Sequence, residues 1–132
     1  GEISPAEGGK IADLELQKIA MTGKNNQPIL DLILLGMGED GHVASLFPNA
    51  APEILYCSVP FLAIENSPKP PPKRISLSYV AIGAAENVWV LASGAGKEAA
   101  LRESLKENGV TPLARVIKSR PFTKIFTDIR QN

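Results

Sequence analysis

The chain alternates between continuous apolar runs and segments of helical spacing. Residues 29–35 are apolar at six of seven positions, and residues 88–92 are apolar throughout. Runs of this kind are typical of strands that are covered on both faces in a parallel sheet. Two weaker strands are also predicted, one of them interrupted by Pro60. We therefore expect one sheet with strands near residues 31–36, 56–64, 88–92 and 123–129.

Helices are predicted before and between these strands. The predicted helical segments are residues 9–22, 43–47, 80–87 and 97–108. Residues 66–73 contain four prolines and are expected to form an ordered loop, because proline lacks an N–H donor. The alternation predicts an α/β fold, a three-layer Rossmann-like domain with a mostly parallel sheet and flanking helices. At 132 residues the chain is expected to form a single domain, residues 1–132.

The amino-acid composition of the chain limits which binding partners and cofactors are expected. Fourteen basic and fourteen acidic residues cancel, which argues against nucleic acid and membrane surfaces as partners. Cys57 is the single cysteine, so no internal disulfide forms, and we expect it to pack as a small hydrophobe. One histidine and no cysteine cluster provide no metal-ligand set, and no organic cofactor is implied. Without a membrane span or leader pattern, the cytoplasm is the expected location.

A glycine-rich segment directly follows the first apolar run. Residues 36–42 read GMGEDGH, and ligands of open α/β sheets bind beyond the carboxyl ends of strands. Glycines let the backbone approach a ligand, and free N–H groups can hold an anion. The third glycine has the wrong spacing for a dinucleotide fingerprint. A tight turn with glycines for steric reasons explains the segment equally well, so both interpretations stay open.

His42 makes this turn a candidate catalytic site. It is the only histidine of the chain, and imidazole alone among side chains titrates near neutrality without perturbation. Asp40 stands two residues earlier and has two equally plausible roles. It can fix the tautomer of the imidazole ring, or it can accept a hydrogen bond from nearby backbone, as turn aspartates often do.

The sequence DLILLGMGEDGHVASLFPN resembles the signature of 6-phosphogluconolactonases, in which an apolar strand precedes G-x-G-x-D-G-H-x-A-S-L-F-P. The resemblance continues through SPKPPPKRISLSY and NVWVLASGAGKEAAL and covers about residues 10–129. It implies hydrolysis of a small-molecule sugar-phosphate lactone. His42 would be the general base and Asp40 its polar partner. Lys97 would hold the phosphate, and Arg74 would lie in the substrate pocket.

The expected lactonase mechanism also gives the turn's glycines a role. Gly36, Gly38 and Gly41 would bring backbone N–H groups to the substrate, where they stabilise the oxyanion of the tetrahedral intermediate.

Two alternatives remain at this stage. Glucosamine-6-phosphate deaminases share the fold and the G-x-G-x-D-G-H turn but continue A-F-N-E-P, whose glutamate takes part in proton transfer. Here residues 43–48 read VASLFP, without a carboxylate, which favours the lactonase. The second alternative is a non-catalytic chain that binds sugar phosphate. The family is normally about a hundred residues longer at its N-terminus, so we expect an incomplete domain that self-associates or pairs with the missing half.

Overall fold

The computed structural model describes residues 3–120 and 122–130. Its elements in chain order are α1 (Pro5–Ile19), β1 (Met21–Thr22), β2 (Pro28–Ile29), β3 (Leu32–Gly36), α2 (Pro52–Leu55), β4 (Phe61–Ile64), β5 (Arg74–Leu77), α3 (Tyr79–Ala84), β6 (Asn87–Ala92), α4 (Glu98–Leu105), α5 (Pro112–Ser119) and β7 (Lys124–Thr127). Single turns of 3₁₀-helix lie at Lys24–Asn26 and Ala95–Lys97. The predicted α/β class is confirmed.

The main sheet is parallel and has the strand order β3-β6-β7. Leu34 pairs with Trp89, and Leu91 pairs with Phe126, so the three strands end at the same edge. Each crossover between these strands contains at least one helix, as parallel pairing requires. The carboxyl ends of β3, β6 and β7 therefore present their following turns side by side.

Helices cover one face of this sheet. The alternate residues Ile33, Leu35, Val88 and Val90 are buried in one cluster with side chains of α3, α4 and α5. On the opposite face Leu34 is 59% exposed, although its strand is almost continuously apolar. Leu32, Leu91 and Phe126 are also exposed on that face. The expectation of strands covered on both faces is thus met on one face only among the described residues.

The predicted strand at residues 56–64 is wrong in extent and in pairing. Only Phe61–Ile64 is extended, and it pairs antiparallel with β5 in a separate two-stranded sheet. Pro52 is the first residue of the short helix α2, and Pro60 immediately precedes β4. A proline therefore marks the start of each of these two elements. Helix α1 packs on this pair, where the Phe61 N–H donates to Asp13 Oδ1 at 2.8 Å.

The helix predicted at residues 43–47 is absent. Val43 forms isolated bridges with Met37 and Leu46 instead, and Ala44 has a φ of 49°, outside the right-handed helical region. Val43 and Leu46 are fully buried. The segment after His42 is therefore a folded-back turn that is fixed by the burial of these two side chains.

Three helices differ from prediction in their bounds, and two helices, α2 and α5, were not predicted. Helix α3 spans Tyr79–Ala84 rather than residues 80–87. Helix α1 begins at Pro5 rather than residue 9, because Ser4 and Glu7 form a capping box. Helix α4 spans Glu98–Leu105, shorter than the predicted residues 97–108. Helix α5, capped by Thr111, was missed. Within the described residues no helix has the length and apolarity to cross a bilayer.

Candidate active site

Two turns meet at the carboxyl edge of the sheet. The histidine turn, residues 36–42, follows β3, and the lysine turn, residues 93–97, follows the adjacent strand β6. A Cβ added to Gly96 would lie 2.6 Å from Glu39 Oε1. The turns are thus in direct contact, as the pairing of their strands dictates.

Asp40 and His42 form a close pair within the histidine turn. His42 Nδ1 lies 2.5 Å from Asp40 Oδ1, and the His42 N–H donates to the same oxygen at 3.1 Å. The contacts that both considered roles of Asp40 require are therefore made, one to the ring and one to the backbone. A carboxylate at Nδ1 favours the tautomer that carries its proton on Nδ1, which leaves the Nε2 lone pair as the basic site.

The charge of Asp40 supports this tautomer. Partial burial alone would raise the pKa of Asp40, but hydrogen bonds from the ring and backbone of His42, with smaller attractions to His42 and Lys69, lower it overall. The side chain of His42 is 18% exposed and that of Asp40 35% exposed. The pair is thus an ionised carboxylate that orients a mostly covered imidazole. We find no hydrogen bond from Nε2 to any described residue.

Gly38 and Gly41 are required by the close packing of this turn. A Cβ on Gly38 would overlap the His42 ring. Gly41 has a φ of 80°, and a Cβ there would lie 2.7 Å from Thr111 Cβ. The Gly41 carbonyl also accepts a hydrogen bond from the Leu113 N–H at 3.1 Å, so the start of α5 holds the turn in place. Gly36, by contrast, has open space where its side chain would be.

We expect Gly41→Ala to lower the free energy of unfolding by about 1–3 kcal/mol, because alanine is strained at positive φ and its methyl group would press on Thr111. Gly36→Ala is the matched control and should change stability by less than about 0.5 kcal/mol. Urea unfolding of both variants measures the difference. Equal stability of the two variants would contradict this account of Gly41.

The turn has free backbone donors, but they are not the N–H groups of Gly38 and Gly41, which were expected to reach the substrate. The Gly38 N–H donates to the His42 carbonyl at 2.9 Å, and the Gly41 N–H donates to the Gly38 carbonyl at 3.0 Å. In the described part of the chain the N–H groups of Glu39 and Asp40 make no hydrogen bond. An anion at this turn would therefore be bound by the backbone N–H groups of Glu39 and Asp40.

Arg74 lies near the histidine but is held by other groups. Its guanidinium donates to the carbonyls of Lys69, Pro70 and Pro71 at 2.8–2.9 Å, which pins the proline-rich loop. It also stacks on the Phe47 ring at 5.6 Å, and Phe47 contacts the His42 ring at 4.6 Å between centroids. Arg74 thus orders the surroundings of His42, and its predicted contact with substrate stays a prediction.

Lys97 stands at the N-terminus of α4, where it is the cap residue. Its N–H donates to the Gly94 carbonyl at 3.1 Å, and no described residue forms an ion pair or hydrogen bond with its ammonium group. Helix dipole and ammonium both favour an anion at this place. No group of three or more potential metal-ligating side chains occurs among the described residues.

Comparison with known proteins gives the family. The family model described as glucosamine-6-phosphate isomerases/6-phosphogluconolactonase matches residues 3–125. The chain belongs to this family. It is 42% identical over 87 residues to a 6-phosphogluconolactonase of Mycobacterium tuberculosis, covering 66% of this chain and 34% of the relative. With the human 6-phosphogluconolactonase it shares 41% identity over 86 residues, covering 65% and 33%.

Solved structures agree with the family assignment. The crystal structure of the Leishmania guyanensis 6-phosphogluconolactonase superposes with a TM-score of 0.75 at 26% identity, over 90% of this chain and 48% of that chain. The chain therefore spans about a third of the curated relatives and about half of the solved structure. The region matched by the family model contains both the histidine turn and the lysine turn.

Sequence reasoning missed several residues that shape this family site. Phe47 and Thr111 contact the histidine turn, and Asp128 holds the lysine turn. Two of them carried a local signal: Thr111 precedes a proline, as helix caps often do, and Asp128 directly follows a strand at the ligand-binding edge. Phe47 lies in the signature that begins at Gly36, but its contact with His42 depends on how the chain folds back after the histidine.

Proposed function

We propose that this chain carries the general base and one phosphate anchor of a 6-phosphogluconolactonase, which hydrolyses 6-phosphoglucono-δ-lactone to 6-phosphogluconate. The observation that carries the proposal is the His42–Asp40 pair on a glycine turn, in contact with the lysine turn, in a chain of this family. We also propose that this reaction belongs to the oxidative pentose phosphate pathway and takes place in the cytoplasm.

The chemistry follows from the geometry of the histidine turn. His42 Nε2 takes a proton from water, and the resulting hydroxide attacks the lactone carbonyl carbon. The N–H groups of Glu39 and Asp40 stabilise the oxyanion of the tetrahedral intermediate. The bond from this carbon to the ring oxygen then breaks, and imidazolium returns the proton to the departing oxygen. Asp40 stabilises the imidazolium between the two transfers.

The phosphate is assigned to the lysine turn. Lys97 has no protein partner for its ammonium among the described residues and stands at the start of α4. The contact between Glu39 and Gly96 places the two turns side by side, so a substrate can reach both. In this arrangement Lys97 binds the phosphate equally in the ground state and the transition state.

The test uses a completed domain, defined as a fusion of residues 1–132 behind the N-terminal segment of the Mycobacterium tuberculosis relative. We expect it to open 6-phosphoglucono-δ-lactone faster than the spontaneous reaction. The same preparation should release no ammonia from glucosamine 6-phosphate. A folded completed domain, shown by circular dichroism, that opens lactone only at the spontaneous rate would reject the proposal, and ammonia release would favour the deaminase.

Lys97→Ala in the completed domain should raise KM by about tenfold and change kcat little, because it removes binding common to both states. Lys106→Ala is the matched control, since Lys106 caps the opposite end of the same helix and pairs there with Glu103. Steady-state kinetics on the lactone measures both variants. An unchanged KM in Lys97→Ala would remove Lys97 from the site.

A further inference from the structure

We infer that Asp128 is a positioning residue for substrate binding, which holds the lysine turn in the conformation that presents Lys97. This inference rests on the proposed function of Lys97. The Asp128 carboxylate directly follows β7, the edge strand of the main sheet next to β6. It is therefore placed beside the lysine turn by strand pairing.

Both carboxylate oxygens of Asp128 are used on this turn. Oδ1 accepts the Gly94 N–H at 3.0 Å, and Oδ2 accepts the Ser93 hydroxyl at 3.1 Å. These bonds lower the pKa of Asp128, the Gly94 N–H most and the Ser93 hydroxyl next, so the group is ionised at neutral pH. A charged acceptor that receives two donors is a strong and directional contact.

The turn has little else to fix its shape. Residues 93–96 are exposed, and Gly94 has a φ of 97° with open space where a side chain would be. Packing therefore does not determine the conformation of Gly94, although Glu39 contacts the turn at Gly96. A hydrogen bond from the Lys97 N–H to the Gly94 carbonyl closes the turn. The two hydrogen bonds that Asp128 accepts attach the turn to the end of β7.

Asp128 leaves the ammonium of Lys97 available. The two groups attract each other electrostatically, but their side chains form no ion pair. The carboxylate is occupied by the Gly94 and Ser93 donors instead. Asp128 thus acts on phosphate binding through the turn backbone, and the effect of its removal should depend on the presence of Lys97.

The experiment titrates 6-phosphogluconate into residues 1–132 and follows backbone amide shifts by NMR. We expect Asp128→Ala to weaken the affinity by about tenfold and to shift the Gly94 amide resonance in the free protein. Asp128→Asn keeps the size and an acceptor for Gly94, so it should recover most of the affinity. Asp31→Ala, at the opposite end of the sheet, is the matched control and should bind like wild type.

A double-variant cycle separates positioning from a general structural effect. In the Lys97→Ala background, Asp128→Ala should cause no further loss of affinity, because its effect passes through Lys97. Unchanged affinity in Asp128→Ala, or an equal loss in both backgrounds, would overturn this inference alone. A wild-type chain that does not bind 6-phosphogluconate would overturn the proposed phosphate site, and this inference with it.

Discussion

Replacement of His42 by alanine is expected to lower kcat of the completed domain for lactone opening by about 10²–10⁴-fold, the range that a general acid–base residue contributes. His42 is the only histidine of the chain, and Asp40 orients its ring from 2.5 Å. No other described group near the histidine turn offers an oriented base at neutral pH. The lactone also opens spontaneously, so rates are taken above a reaction without protein.

A pair of asparagine variants tests the role assigned to the carboxylate. Asp40→Asn should also lower kcat, by up to about 10⁴-fold, because the neutral amide no longer holds the imidazole in the tautomer with its proton on Nδ1 and no longer stabilises imidazolium. Asp31→Asn makes the same change at the far end of β3 and should leave kcat unchanged. Circular dichroism confirms folding in each case. A His42→Ala protein with near wild-type kcat would refute the assignment of the base.

Residues 1–132 alone are expected to show little or no lactonase activity, even when folded. Positioning of substrate contributes on the order of 7–11 kcal/mol to lowering a barrier. In the proposed mechanism the chain provides a base and one phosphate anchor, and it spans about half of the solved relative with which it superposes. The other half of that relative has no counterpart in residues 1–132, so much of this positioning should be missing.

The exposed apolar face of the main sheet is the surface where we expect an added N-terminal segment to bind and restore activity. Parallel sheets are almost always covered on both faces, yet Leu34, Leu91 and Phe126 are exposed here. We expect the N-terminal segment of a relative, added as a separate polypeptide, to bind this face and raise the rate. Leu34→Asp should abolish that rescue, and Glu107→Asp, on the surface beyond α4, should not. Full activity of residues 1–132 without an added segment would contradict the prediction. In that case analytical ultracentrifugation would show whether a second copy of the chain takes the place of the N-terminal segment.

Local sequence patterns predicted the elements that depend on neighbouring residues. The strands predicted at residues 31–36 and 88–92 match β3 and β6 to within one residue, and the glycines marked the turns that follow them. The motif around His42 gave the family, which the match to residues 3–125 confirms. These features were accessible because periodicity, glycine conformation and strand composition are properties of short segments.

Errors arose where distant segments decide the outcome. The apolar pattern of residues 56–64 predicted a strand correctly in kind, but its partner is β5 rather than the main sheet. Nothing in a short apolar run states which strand it will pair with. The segment after His42 was expected to be helical, and the burial of Val43 and Leu46 in the shared core overrode that preference.

The sequence by itself determined the α/β class, the glycine turn that carries His42 and Asp40, and the family of the chain. Only the tertiary structure decided that the lysine turn touches the histidine turn, that Leu113 donates to Gly41, and that Asp128 holds Gly94. The bond between Asp128 and Gly94 joins residues 34 positions apart. Such contacts depend on the order and register of strands, which are set by burial across the whole sheet rather than by the residues nearby.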